Sequence, residues 1–462
     1  MAASAIAIAI AAIGWLLRIV SQRKLGLRRT KFDLILLLTI LWTIASALLS
    51  VEPDISINKL QALWSVFIFY LTRAVLTRRT VLPLVLLLIV SASVGALYSV
   101  YDLLRGRGVV LQSLSTSSPF LQINVRPGDT VWRVGGRRVY SESDIDEVLA
   151  TLPPNSSVAI SVISQGEHVE IPGFVVPATV QREGRLSGVA GSGRSHRFRA
   201  SGWTRHYQTF AEVMQMIAQL ALGLALAHLR NHGANRYFKL ALPAVFLTTV
   251  GIALTAMRTV LMAFVAGAFL IAWRSTRGMA KLAVTFAIFF VFAFGAVVVW
   301  QTRAPSALLL GDHSSSLRSQ VAKVGLSRIL IHPIFGHGMD AMQKHWNEWG
   351  FPGNDMLHLH STPLQLAFDR GLPMLALWLV LMILFWLHVW RAQERATETS
   401  DTNRYGILLG ASGALTGFLL SSIVNYNFGD SEVVMLFWWL MGVVLVLDGS
   451  DTMPNHVTSP TK

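Results

Sequence analysis

With 462 residues, of which 53% are apolar and only 14% charged, the chain falls far below the roughly 25% charge of soluble domains, which excludes an ordinary soluble enzyme. Its formal charge of +14 would suggest nucleic acid in a soluble protein, but most of the excess lies in short loops between apolar runs, where it orients a chain in a membrane. Cysteine is absent, which rules out disulfides, cysteine–zinc sites and thiol catalysis, and suits a chain with parts in an oxidising compartment.

Repeated apolar runs, mostly of roughly 17 to 20 residues or more, predict about eleven transmembrane helices. They lie near residues 3–20, 33–50, 60–76, 81–100, 207–229, 240–256, 259–273, 281–300, 363–390, 406–424 and 432–448. No positive region precedes the first run, so it is read as a first helix rather than a signal peptide, with an earlier helix left open. Loops after the odd-numbered spans, such as "SQRKLGLRRTK" and "WRSTRGMAK", are basic, whereas "VEPDISINK" and "NYNFGDSE" are acidic or neutral. That alternation places the N-terminus and the long segments 101–206 and 301–362 outside, and the C-terminus inside. As one helix, residues 240–273 would be about 51 Å long at 1.5 Å per residue. Two short helices with Arg258 at the outer tip fit better. An arginine snorkelling at a helix end is the alternative, but so tight a turn cannot carry its charge far from the membrane, which makes Arg258 a candidate functional residue.

The predicted fold class is a polytopic α-helical membrane protein with a small α+β domain between helices 4 and 5. Its parts are a four-helix portion (1–100), the insert (109–180), a linker (181–206), helices 5–8 (207–300), an outer loop (301–362), helices 9–11 (363–448) and a cytoplasmic tail (449–462). In the insert, "VRPGDTVWRVGGRRV" carries turn chemistry and a short strand. Ser141 or Ser143 can cap an acidic-first helix closed by Pro153-Pro154, and two strands follow. The stretch resembles a PDZ domain of the bacterial protease type through Arg126-Pro127-Gly128-Asp129, Gly136 and Val139. "SLSTSSPFLQ" departs from that family's carboxylate-binding loop, leaving peptide capture and a scaffolding or gating role both open. The Gly/Ser/Arg-rich residues 181–206 read as a flexible linker, or as a basic strip for anionic headgroups or a phosphate-bearing ligand, with Arg199 and Arg205 its candidate members.

In the second outer segment, apolar spacing from Ser316 to Ile331 predicts an amphipathic helix along the membrane with Arg318 in its first turn. "HPIFGHG" ends it, and a loop with Trp346, Trp349 and Pro352 is expected at the interface. In "HLHSTPLQLAFDRGLP", Ser361 or Thr362 can cap the next helix and Pro363 can open it. His332, His337 and His345 read as ordinary loop histidines. His358 and His360, with His345 and Asp355 near in sequence, would allow a metal, but spacing alone does not supply ligand geometry and none is expected.

Four elements in order resemble the O-antigen ligase and polymerase superfamily: "RASGWTRHYQTFAEVM", "LTAMRTVLMAF", "HPIFGHG", and His360-Ser361 followed by Gly371-Leu372-Pro373-Met374. Met374 stands where the family has a glycine, with looser helix packing expected, and Thr259 replaces the glycine after the turn arginine. The resemblance implies glycosyl transfer on the periplasmic face of a bacterial inner membrane, without metal or cofactor, from an undecaprenyl-diphosphate-linked glycan to a sugar, lipid or protein acceptor. Arg258 and Arg318 would clamp the diphosphate, since guanidinium forks bind phosphate bidentately and stay charged. His360 would take the acceptor proton. His358, Ser361, Arg199 and Arg205 would contact substrate, and the insert would engage a periplasmic protein. A site-2 type protease, which also carries a PDZ insert, needs His-Glu-x-x-His, and no such motif occurs. A transporter, flippase or export-assembly component is the remaining alternative. It predicts charges near the midplane, whereas here they gather at outer helix ends.

Overall fold

The computed structural model describes residues 2–22, 29–164, 167–179, 186–195, 199–204, 206–276, 278–279, 281, 286, 313–353 and 358–449. The elements begin with α1 (Ala2–Gln22), α2 (Lys31–Leu49), α3 (Pro53–Asn58), a 3-10 turn (Leu60–Val66), α4 (Phe67–Val75) and α5 (Arg78–Arg105). The insert supplies β1 (Arg107–Leu114), α6 (Pro119–Gln122), β2 (Thr130–Val134), β3 (Arg137–Arg138), α7 (Glu142–Thr151), β4 (Ser157–Ser164), β5 (Glu167–Val175) and β6 (Val189–Ser195). Then come α8 (Tyr207–His232), α9 (Arg236–Leu254), α10 (Arg258–Ser275), α11 (His313–Ile331), α12 (Ala341–Lys344), α13 (Thr362–Thr397), α14 (Thr402–Ser422), a 3-10 turn (Asn427–Gly429) and α15 (Ser431–Asp448).

Two compact units result: Met1–Ser93, Ala211–Ile252 and Met257–Lys462 form the first, and Val94–Phe210 with Ala253–Ala256 the second. Among the described residues eight helices are long and apolar enough to cross a membrane, namely α2, α5, α8, α9, α10, α13, α14 and α15. The protein is a multi-pass helical membrane protein. Residues 236–275 divide into α9 and α10 with Arg258 opening the second helix, as the length argument requires. The span expected at 60–76 differs: a 3-10 turn precedes the nine-residue α4, so no single helix there reaches spanning length. The span expected at 281–300 and the tail after Gly449 lie outside the described residues, apart from Lys281 and Phe286.

In the first unit α14 is the central helix. A Cβ at Gly410 would lie 2.6 Å from Leu220 Cα of α8, and one at Gly413 would lie 2.9 Å from Gly267 O of α10. Small residues thus bring three backbones together, the usual way helices associate where lipid removes the hydrophobic drive. Between them α8 buries Glu212, Gln215 and Gln219. Gln215 Nε2 donates to Gln219 Oε1, and Gln219 Nε2 donates to Phe264 O of α10 at 3.1 Å. Facing the bundle interior is where intramembrane polar groups belong.

The 36-residue α13 is broken at Gly371, whose φ 80 and ψ 171 are not helical. The cause is local. Pro373 has no N–H for the Asp369 carbonyl four residues back, so Gly338 N–H supplies that bond at 3.0 Å. His337 N–H donates to Phe368 O at 2.8 Å, Leu372 N–H to Pro333 O at 2.7 Å, and Trp42 Nε1 to Arg370 O at 2.9 Å. The "HPIFGHG" segment is therefore the hydrogen-bonding complement of the break, and the two motifs are halves of one device. Met374 does not loosen this packing: it is 1% exposed, against Thr43 of α2. A Cβ at Gly371 would fall 1.8 Å from Ile334 O, besides the strain of its positive φ. Gly371→Ala is expected to cost about 3 kcal/mol or more, read as a lowered melting temperature in detergent. Wild-type stability would show that the break tolerates a side chain.

The second unit is a six-stranded antiparallel sheet in the order β5-β4-β2-β1-β6, with β3 paired to β2. Val131 pairs with Val162 and Val134 with Ile160, which sets these apolar residues toward a core shared with Ile145, Leu149, Phe120 and Phe174. Ser141 is the cap of α7, accepting from Asp144 N–H at 3.1 Å. The short strand, helix and two following strands expected in the insert are present as β2, α7, β4 and β5. The linker expectation is corrected in part: residues 189–195 form β6, antiparallel to β1, because backbone pairing needs no apolar pattern from "VAGSGRS".

Candidate functional site

The stretch 358–362 is a tight turn entering α13. Leu359 N–H donates to Gln365 Oε1 at 2.6 Å, and Gln365 Nε2 donates to Asp369 Oδ1 at 2.8 Å. Gln365 and Asp369 stand one helical turn apart, so a single face of α13 grips the turn from below. His360 sits at φ 52, the left-handed region that non-glycine residues seldom occupy. Such a conformation persists only where the surroundings impose it, and it recurs at functional sites. The His358 ring meets His360 edge-on at 4.3 Å and Tyr426 at 5.7 Å. Burial pushes the Tyr426 hydroxyl well above its usual titration range, with the nearby Asp369 carboxylate adding to it and Arg370 opposing. Ser361 holds the N-cap position of α13 but makes no side-chain cap, and Thr362 turns to the α14–α15 connection instead.

Asn425 joins this turn to the Arg258 hairpin. Its carbonyl accepts from Thr362 N–H and from Thr362 Oγ1, each at 3.1 Å. Its side-chain amide donates to Thr259 Oγ1 at 3.2 Å and to Ser421 Oγ at 3.0 Å. Ser421 Oγ in turn donates to Glu212 Oε1 of α8 at 3.2 Å. One buried asparagine thus ties together the start of α10, the start of α13, the end of α14 and the start of α8. Neither Met257 nor Ser361 caps its helix with a side chain, so two helix N-termini meet at one end of the bundle, a ready environment for an anion.

Residues 243–379, which hold Arg258, Arg318, His360 and the broken helix, match a family described as O-Antigen ligase. The matched stretch is less than half of the chain, and it supports a membrane glycosyltransferase-like enzyme. A second similarity is short: the chain is 32% identical over 66 residues to the magnetosome formation protease MamE of Magnetospirillum gryphiswaldense, covering 14% of this chain and 8% of that protein.

Within the matched stretch, Arg318 lies on α11 one turn before Val321, which shares a core with Leu359 of the histidine turn. Gly325 continues that face, and a Cβ there would lie 2.6 Å from Leu359 Cδ2. The helix starts at His313, and its exposed residues mix Ser319, Gln320, Lys323 and Ser327 with Leu326, Leu330 and Ile331, so the apolar and polar residues are not cleanly parted as an amphipathic helix would have them. Trp346 and Trp349, expected at the interface, are instead buried in this same core at 4% and 7% exposure. His337 is likewise no ordinary loop residue. Its ring stacks on Phe368 at 4.6 Å, its Nε2 bonds Arg328 O at 2.9 Å, and burial holds its pKa below the ordinary value.

Arg199 belongs to the second unit, where its guanidinium lies 4.6 Å from the Tyr207 ring centroid. Arg205 and Asp355 lie outside the described residues. Sequence reasoning missed Gln365, Asp369, Arg370, Asn425, Tyr426 and Glu212. The polar pair four residues apart in "QLAFD", inside an apolar helix, was the available signal for the first two.

His345 is held between Glu52 and Glu348, Nε2 to Glu52 Oε1 and Nδ1 to Glu348 Oε2, each at 2.5 Å. Both hydrogen bonds raise the histidine's pKa, that to Glu348 more, while His345 and then Lys344 hold Glu52 below its usual range. The raised histidine contributes stability fully below its unfolded value of 6.5, lost as pH rises through the folded value; the lowered Glu52 contributes above 4.5, lost as pH falls. The stability difference between wild type and His345→Gln is therefore expected to peak between these two values and shrink toward alkaline pH. Melting curves of both proteins across that range check it, and a difference growing with pH would refute the clamp.

Proposed function

We propose that the protein transfers or polymerises a glycan from an undecaprenyl-diphosphate-linked donor onto an acceptor hydroxyl at the periplasmic face of a bacterial inner membrane. The observation that carries the proposal is the bridge Thr259–Asn425–Thr362, which sets Arg258 and His360 on one hydrogen-bonded frame. In this reaction the acceptor oxygen attacks the anomeric carbon. The carbon–oxygen bond to the diphosphate breaks, and undecaprenyl diphosphate leaves with the electron pair. His360 receives the acceptor proton, so the new glycosidic oxygen is neutral. Negative charge gathers on the leaving diphosphate. Arg258, Arg318 and the N-termini of α10 and α13 meet it, the arginines through paired charge-assisted bonds. His358 and Ser361 line the acceptor side of the turn, and Arg199 and Arg205 bind substrate.

A ligase and a polymerase share this donor chemistry and differ in the acceptor. Residues 109–180 act as a PDZ-like domain that engages a periplasmic protein. The stretch shared with MamE is too small a part of that protein to bring protease chemistry with it. Charged residues in the spans favour surface chemistry over transport: Arg258 opens α10, Glu212 lies near the start of α8, and Asp369 and Arg370 directly precede the break in α13. The test is transfer itself. The full chain in nanodiscs, given a lipid-linked oligosaccharide and candidate acceptors, is expected to release undecaprenyl diphosphate in step with acceptor glycosylation. Release without acceptor or glycosylation without release would each overturn the mechanism.

A further inference from the structure

We infer that Arg370 contacts the donor's diphosphate as a third guanidinium beside Arg258 and Arg318, an inference that rests on the glycosyl-transfer reading. Arg370 stands at the break in α13, and its backbone is fixed there from outside the helix. Trp42 Nε1 takes its carbonyl, Gly338 N–H takes the carbonyl of Asp369, and Pro333 O takes the N–H of Leu372. A Cβ at Gly336 would lie 2.6 Å from Arg370 N, so the loop is packed against this residue and leaves it little freedom.

Its surroundings are those of the histidine turn. The neighbouring Asp369 carboxylate is bonded to Gln365, which also holds Leu359 N–H. Arg370 bears electrostatically on the Tyr426 hydroxyl, and the Tyr426 ring lies 5.7 Å from His358. Arg370 Nε is buried and has no hydrogen-bond partner among the described residues. The Asp369 carboxylate bears on Arg370 but is also bonded by Gln365, so a buried Nε without an acceptor leaves room for a further anion. A diphosphate offers several oxygens to a planar fork that a single ammonium cannot match. Arg370 thus differs from Arg258 and Arg318 in origin: it comes from the helix that follows the base, whose Gln365 also holds the histidine turn.

The test uses the full chain in nanodiscs, with undecaprenyl diphosphate as the binding probe and undecaprenyl monophosphate as the control. R370Q is expected to weaken diphosphate binding by about tenfold or more and to leave monophosphate binding nearly unchanged. R370K, which keeps the charge and loses the fork, is expected to fall between, and it serves if R370Q does not fold. In turnover the donor KM rises while the acceptor KM stays put, a split that a purely structural role would not give. Wild-type diphosphate affinity in folded R370Q and R370K overturns this assignment and leaves the transfer reading intact. Failure of the wild-type protein to bind the diphosphate overturns both.

Discussion

Replacing His360 by alanine is expected to reduce glycan transfer by about 10²- to 10⁴-fold, the usual worth of a positioned base. The alanine variant alone leaves an ambiguity, because His360 sits at φ 52 and an alanine there carries backbone strain of roughly 1–3 kcal/mol. His360→Asn resolves it. Asparagine tolerates the left-handed region better than most residues and cannot accept a proton at neutral pH. The turn's other anchors, Leu359 on Gln365 and Thr362 on Asn425, involve no atom of the histidine ring. His360→Asn should therefore melt near wild type while losing transfer as severely as His360→Ala. Initial rates from lipid-linked donor, with melting temperatures alongside, decide it. A folded His360→Asn within about threefold of wild type would remove the base from the mechanism.

Much of this arrangement was legible because its signals are local. The length of 240–273 against a membrane's thickness forces a turn, and Arg258 marks where it falls. Pro363 reads as a helix start wherever it is met, and the α10 and α13 starts are where those residues place them. What was not legible depends on partners distant in sequence. Gly371 and Pro373 announce a break, but only the fold shows that His337, Gly338 and Trp42 fill its empty hydrogen bonds. Trp346 and Trp349 have the composition of an interfacial loop, and nothing local says that α11 and α13 close over them. Asn425, in a short polar connection, looks like a turn former. Its role comes from four helix ends converging on it, which no window of sequence contains. The residues 189–195 failed for a related reason: a strand defined by pairing with β1 needs no apolar alternation of its own.

Arg258→Lys is the second large effect, and it tests the clamp without removing its charge. A lysine at the same position presents a point charge in place of two parallel N–H donors, so one of the paired phosphate bonds is lost. At ~1.5–3 kcal/mol for a charge-assisted bond, transfer should fall by about 10- to 100-fold. Arg258→Gln, which also removes the charge, should cost about 10²- to 10³-fold, as losing a preorganised contact to developing charge does elsewhere. The diphosphate is already charged in the bound donor, so part of each loss appears as a raised donor KM. The remainder, a lowered kcat, reports the charge that develops as the bond to the sugar breaks. Thr259, which stands where the family has glycine, accepts from Asn425 and keeps the start of α10 in place in either variant. Stability should consequently hold while activity falls. Full activity in Arg258→Lys would show that a bidentate fork is not needed at this helix end, and the leaving group would then have to be met by Arg318 and the helix N-termini alone.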